Sequence, residues 1–215
     1  MIRVRPILPP VTINPVTAGD IALKVISYAL VLGVAVLATW IMLRKSKNEL
    51  NKPKMVPALL SFTGVGLILL LLFGTTLTTV KGLMLCMILL YASLSDIAKH
   101  EVPDYVPALI LVLAFVGFEP ANTLSMLIGA LVVFLPQLAI SMLRPGRAVG
   151  GADIKISTAI AFLLGAEKGI FALLAGLLSG VIVMFIVRKV KKETNKEPFA
   201  LVPFLSFGAM LAFMI

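Results

Sequence analysis

The chain has 215 residues, of which 60% are hydrophobic and only 13% charged, with a formal net charge of +9 and a mean hydropathy of +1.09. Soluble domains carry about 25% charged residues, so this composition excludes an ordinary water-soluble enzyme and leaves little chain for a soluble domain beside the apolar stretches. One cysteine (Cys86) and one histidine (His100) exclude an intrachain disulfide and a usual four-ligand structural zinc site; neither a metal nor a cofactor is expected.

In chain order, residues 1–19 hold four prolines and no helical periodicity, and are predicted to form an extended tail. They lack the basic-then-apolar order of a cleaved signal peptide. Residues 20–215 are predicted to form a single membrane-embedded domain. Eight apolar segments follow one another at roughly 21–43, 56–73, 82–97, 104–118, 121–143, 153–165, 168–188 and 200–215, many close to the ~20 residues that cross a hydrocarbon core. The fourth and sixth are short, and only the turn residues of GFEP, Gly117 to Pro120, divide the fourth from the fifth. The expected fold is all-α, a polytopic membrane helical bundle of about eight transmembrane segments.

Lysine and arginine fix the orientation, because basic residues in short loops are retained in the cytoplasm. With eight spans and both termini outside, all but five of the nineteen basic residues fall on the inner side; the exceptions are Arg3, Arg5, Lys24, Lys81 and Lys168. The positive charge is thus explained by topology in a cell membrane and calls for no nucleic-acid partner, while its basic inner rim suits anionic lipid.

Of the ten acidic residues, six lie at span ends or in loops, where solvation is the default. Asp96 ends the third segment in LLYASLSDIAKHEVPDYV, and Asp153 opens the sixth in RAVGGADIKIST. The third segment runs inward and the sixth outward, so two aspartates far apart in sequence are predicted at one depth near the cytoplasmic face. Taken singly, each has a plain structural role: Asp153 as a helix cap behind Gly150 and Gly151, Asp96 as an interfacial anchor paired with Lys99 or Lys155. Taken together, ionisable groups at span ends facing a bundle interior mark a working site. Two facing carboxylates can divide acid–base work, one taking a proton from water while the other donates to an amide carbonyl. Helix-end dipoles assign the anionic role to Asp153, at a helix N-terminus, and the protonated role to Asp96, at a helix C-terminus. Gly150 and Gly151 are expected to supply backbone freedom and close approach of a substrate strand. Lys155 has two roles open to it, tuning of Asp153 or anchoring at the inner face. Asp104 is expected to cap the fourth segment, and His100 to be solvated. Gln137 is expected to make interhelical contacts.

At these residues the sequence resembles the type IV prepilin leader peptidases, which include the preflagellin peptidases and share a GxGD-type aspartate motif with presenilin-like proteases. The first family aspartate ends a span ahead of an isoleucine-proline-asparagine turn, matched by Asp96 and then Val102, Pro103 and Asp104. The second lies in a glycine-rich motif, matched by Gly150, Gly151, Ala152, Asp153, Ile154 and Lys155, with Ala152 where glycine is commonest. A late proline-phenylalanine element is similar to Pro198-Phe199 or Pro203-Phe204. Larger members carry two CxxC pairs in the loop after the first span; here that loop is only the short stretch around RKSKNELNKPK.

The resemblance implies a membrane-embedded aspartic endopeptidase lacking the cysteine-rich region. Asp96 and Asp153 would be catalytic, with Gly150, Gly151, Ala152 and Lys155 as motif support. Its substrates would be type IV prepilin-like proteins with a basic leader, cut at the cytoplasmic face. The alternative from the residues alone is a small proton- or cation-coupled transporter using Asp96 and Asp153. Against this, carriers commonly place their site at the midplane.

Overall fold

In the computed structural model of the chain, the described residues are 18–46, 55–143, 150–191 and 200–215. They form eight α-helices: α1 (Ala18–Lys45), α2 (Met55–Phe73), α3 (Leu77–Lys99), α4 (Tyr105–Ala114), α5 (Thr123–Leu143), α6 (Gly151–Leu164), α7 (Ala166–Lys191) and α8 (Val202–Met214), with a short 3-10 turn at Pro120–Asn122 before α5. Each expected apolar segment has its helix. Of the predicted tail, Ala18 and Gly19 begin α1 and the remainder lies outside the described residues.

Five stretches are long and apolar enough to cross a membrane: Ile21–Lys45, Met55–Phe73, Leu77–Lys99, Pro120–Leu143 and Ala166–Val190. The remaining helices α4, α6 and α8 have 10, 14 and 13 residues, or roughly 15–21 Å of rise against a core of about 30 Å. All three shorter helices pack on helices of full length: α4 and α6 against each other and against α3 and α5 respectively, α8 against α3 and α7.

α3 and α4, and α5 and α6, run antiparallel, as residue pairs at both ends of each contact establish. Tyr91 meets Tyr105 at one end of the α3–α4 pair, and the Lys81 ammonium donates to the Ala114 carbonyl at the other. Between α5 and α6, Gln137 bonds Ser157, and the Ser125 hydroxyl accepts from the Ala166 N–H just beyond α6. The α6–α7 connection is one residue, Gly165, whose φ of 82° lies in the left-handed region open to glycine and closes the turn without a longer loop. The most extensive contact joins α7 and α8. There Gly176 and Gly208 let the backbones approach: a Cβ on Gly208 would run into the backbone of Ala172 and Gly176, the small-residue packing that stands in for a hydrophobic driving force inside lipid.

The core runs along α3, α6 and α8, with Leu85, Leu89, Ile156, Ile160 and Ala209 among its most buried side chains. On the periphery, α1 exposes most of its apolar surface, as suits a lipid-facing helix. At its basic end the Arg44 guanidinium lies 5.1 Å from the Trp40 ring centre, a cation–π contact of the interfacial kind.

Candidate active site

Asp96 stands one turn from the end of α3. The helix stops at His100, whose φ of 53° is left-handed and whose N–H closes on the Asp96 carbonyl at 2.8 Å. Val102-Pro103 follows, and proline disfavours helix in the residue before it. The Asp96 side chain points inward and is 8% exposed. Its Oδ2 accepts the Val202 N–H at 2.9 Å, with the Leu201 N–H also acting on it. These are the first amides of α8, left without intrahelical partners by their position. One turn deeper, the Ser93 hydroxyl donates to the Ser206 hydroxyl at 2.9 Å, so α3 and α8 are joined by polar bonds on two successive turns. This contact adds a second helix end to the one on which the dipole assignment for Asp96 rests: its carboxylate meets the N-terminal end of α8 as well as the C-terminal end of its own helix.

Asp153 is the third residue of α6, counting from Gly151. Its carboxylate turns back to the Gly150 N–H, the reach of an N3 side chain to the N-cap amide. Gly150 has φ −67° and ψ 142°, extended backbone that any residue adopts. The expectation of backbone freedom is therefore corrected at this position. A Cβ there would sit 2.9 Å from Asp153 Oδ2, so what the glycine supplies is room for the carboxylate. At Gly151 an added Cβ meets nothing within 4 Å among the described residues, which leaves the start of α6 clear of them on that side. Ala152 is half-buried beside it.

The fold brings the two aspartates into one electrostatic neighbourhood. Asp96 is the charged side chain that acts on Asp153, and His100 is the one that acts on Asp96. His100 itself is exposed. Each carboxylate thus holds an N–H of a helix start, α6 for Asp153 and α8 for Asp96.

Lys155 pairs with neither aspartate. Its ammonium lies 2.6 Å from Asp104 Oδ1, with both side chains largely exposed, where such a pair is worth about 0–1 kcal/mol. Asp104 holds the N-cap position of α4 but makes no capping bond, correcting the cap reading. Its φ of −63° and ψ of −20° are helical, whereas a capping side chain reaches its amide from extended backbone. The Lys155–Asp104 bond instead ties the glycine-aspartate motif to the turn that follows Asp96.

Behind the site, Gln137 of α5 donates to Ser157 at 2.9 Å, and Ser157 donates in turn to the Asp153 carbonyl at 2.7 Å. This is the interhelical contact expected of Gln137. The serines and the α8 amides were not singled out by the sequence. Pro203 was the available signal, since proline in a first helical turn marks a helix start with free amides beside it. Of the two late proline-phenylalanine elements, Pro203-Phe204 opens α8 next to the Asp96 donor, and Pro198-Phe199 lies outside the described residues.

Among known families, residues 83–185 match the type IV leader peptidase family. The matched stretch, 103 of the 215 residues, makes this part of the chain similar to a family of peptidases. It runs from within α3 to within α7 and takes in Asp96, the Val102-Pro103-Asp104 turn and the GGADIK motif, while α8 lies beyond it. A search of curated proteins and of solved structures found no match. The resemblance read from the aspartate motifs is therefore met by a family-level match across the helices that carry them.

Proposed function

We propose that the chain is a membrane-embedded aspartic endopeptidase in which Asp96 and Asp153 carry the cleavage, and that it removes the basic leader of type IV prepilin-like substrates at the cytoplasmic face of the membrane. The observation that supports this reading most directly is the approach of two aspartates, separated by the two helices α4 and α5 in the chain, at one end of the bundle. One carboxylate takes a proton from the attacking water while the other donates to the scissile carbonyl oxygen, and the roles reverse as the amine departs. Because each negative charge opposes ionisation of the other, the two carboxylates share a proton and titrate as a pair. The open side of α6 at Gly151 is where an extended substrate strand would reach them.

Carrier function has less support. Between the aspartates and the far end of the bundle lie Leu85, Leu89, Ile156 and Ile160, each 3% exposed or less, an apolar layer on α3 and α6.

Asp→Asn at either position keeps size and much hydrogen bonding but removes a group that must alternate between acid and anion. Each single variant is expected to insert into membranes and to lose cleavage of a prepilin-like substrate, as read by leader removal on a gel. Cleavage by Asp153→Asn at near wild-type rate would leave that residue a helix cap and sink the proposal.

A further inference from the structure

The end of the bundle away from the aspartates holds a second polar recess. Here residues of α3, α7 and α8, the ends of α4 and α6, and the turn before α5 line a chamber of about 510 Å³, which shares Lys81, Gly117, Glu119 and Asn122 with a smaller one of about 180 Å³. Lys81, Lys168, Glu119 and Asn122 supply its charge and hydrogen-bonding capacity, and Phe73, Leu77, Val116 and Phe213 its apolar wall.

Neither cation is in an ion pair among the described residues. Among the described residues the single ion pair is Lys155–Asp104, so no carboxylate lies within 4 Å of Lys81 or Lys168. Glu119, the one acid in the lining, accepts from Asn122 at 3.3 Å. Lys81 is half-buried in the chamber, and its ammonium donates to the Ala114 carbonyl at 3.4 Å, a long bond that leaves two of its three donors unused. A half-buried lysine in a spanning helix is costly and marks a site. Two of the five basic residues that the topology leaves on this side converge here, although nothing in membrane orientation requires them.

Cations above an apolar wall have the chemistry of an amphiphile's complement. We propose that this chamber binds the phosphate-bearing headgroup of an anionic glycerophospholipid, Lys81 and Lys168 meeting the phosphate and Asn122 adding a hydrogen bond, with the acyl chains lying along Phe73, Leu77 and Val116. The site is independent of the cleavage reaction.

Thermal unfolding of the full chain in neutral detergent tests it, with phosphatidylglycerol, phosphatidylcholine of the same chains, or inorganic phosphate added. Phosphatidylglycerol is expected to raise the wild-type midpoint more than either of the others. Lys81→Gln and Lys168→Gln should each weaken its apparent affinity by about tenfold or more, the loss of one charge-assisted hydrogen bond, whereas Lys24→Gln, on the same side but outside the chamber, should not. The basic rim at the other end also attracts anionic lipid, so the comparison between variants carries the result. An equal response in wild type and both chamber variants, or no response at all, overturns the site. An equal effect of inorganic phosphate or of phosphatidylcholine overturns the anionic-lipid assignment. Lys168 is exposed, so its variant remains informative if Lys81→Gln fails to fold.

Discussion

A methyl group added at Gly150 and one added at Gly151 meet different surroundings, although the residues are neighbours. At Gly150 it comes within 2.9 Å of the Asp153 carboxylate and must push it off the amide that holds it. Gly150→Ala is expected to lower leader cleavage by on the order of 100-fold, the scale of an ångström's misplacement of a catalytic group, with little change in thermal stability. Gly151→Ala meets none of the described residues and should leave the fold untouched. If it nevertheless loses cleavage through a raised KM, the space in front of α6 is where substrate lies; if both variants cleave normally, the carboxylate position is not what Gly150 protects. The aspartate pair gives a related expectation. The double variant Asp96→Asn/Asp153→Asn should lose little beyond either single change, because losses within one catalytic unit do not add. Additive losses in cleavage assays would mean that the two act separately.

Helix existence was legible because hydrocarbon permits few alternatives: each backbone amide must be satisfied internally, so an apolar run of sufficient length is a helix. Helix ends were less so. The third segment, read as 82–97, extends over Leu77–Lys99 because Thr76 caps its start and left-handed His100 closes its end, both decided by backbone geometry rather than hydropathy. Asp96 and Asp153 were legible from their motifs. The bond from Val202 to Asp96 was not, since it depends on α8 packing on α3 across more than a hundred residues. Packing at the α7–α8 contact is what holds that bond in place. Gly208→Ala drives a methyl into the backbone of Ala172 and Gly176, and overpacking of this kind costs about 1–3 kcal/mol. A lowered unfolding midpoint in detergent is expected together with reduced cleavage, because α8 carries the amides that hold Asp96. Unchanged stability would show that the two helices can separate without cost.

Across the whole molecule, the shared depth of the aspartates follows from antiparallel helices, whatever their direction in the membrane; which face they approach follows from charge. Arg188 and Lys189 in the last turns of α7, and Arg44 and Lys45 in the last turn of α1, stand at the same end as Asp153, while Lys81 and Lys168 mark the other. Basic residues near span ends are retained on the cytoplasmic side, so this asymmetry predicts a site that faces inward, the orientation the proposed cleavage of a leader requires. Single cysteines at Ser46, beyond the basic end of α1, and at Asn122, at the turn before α5, separate the two faces in a Cys86→Ala background. Cys86 is buried at 7% exposure, and its replacement removes the native thiol. In intact cells, a membrane-impermeant maleimide is expected to label the Asn122 position and to spare the Ser46 position until the membrane is opened. Labelling of Ser46→Cys from outside would turn the bundle over, bring Asp96 and Asp153 to the outer face, and make cleavage of a cytoplasmic leader impossible without changing a single contact in the site.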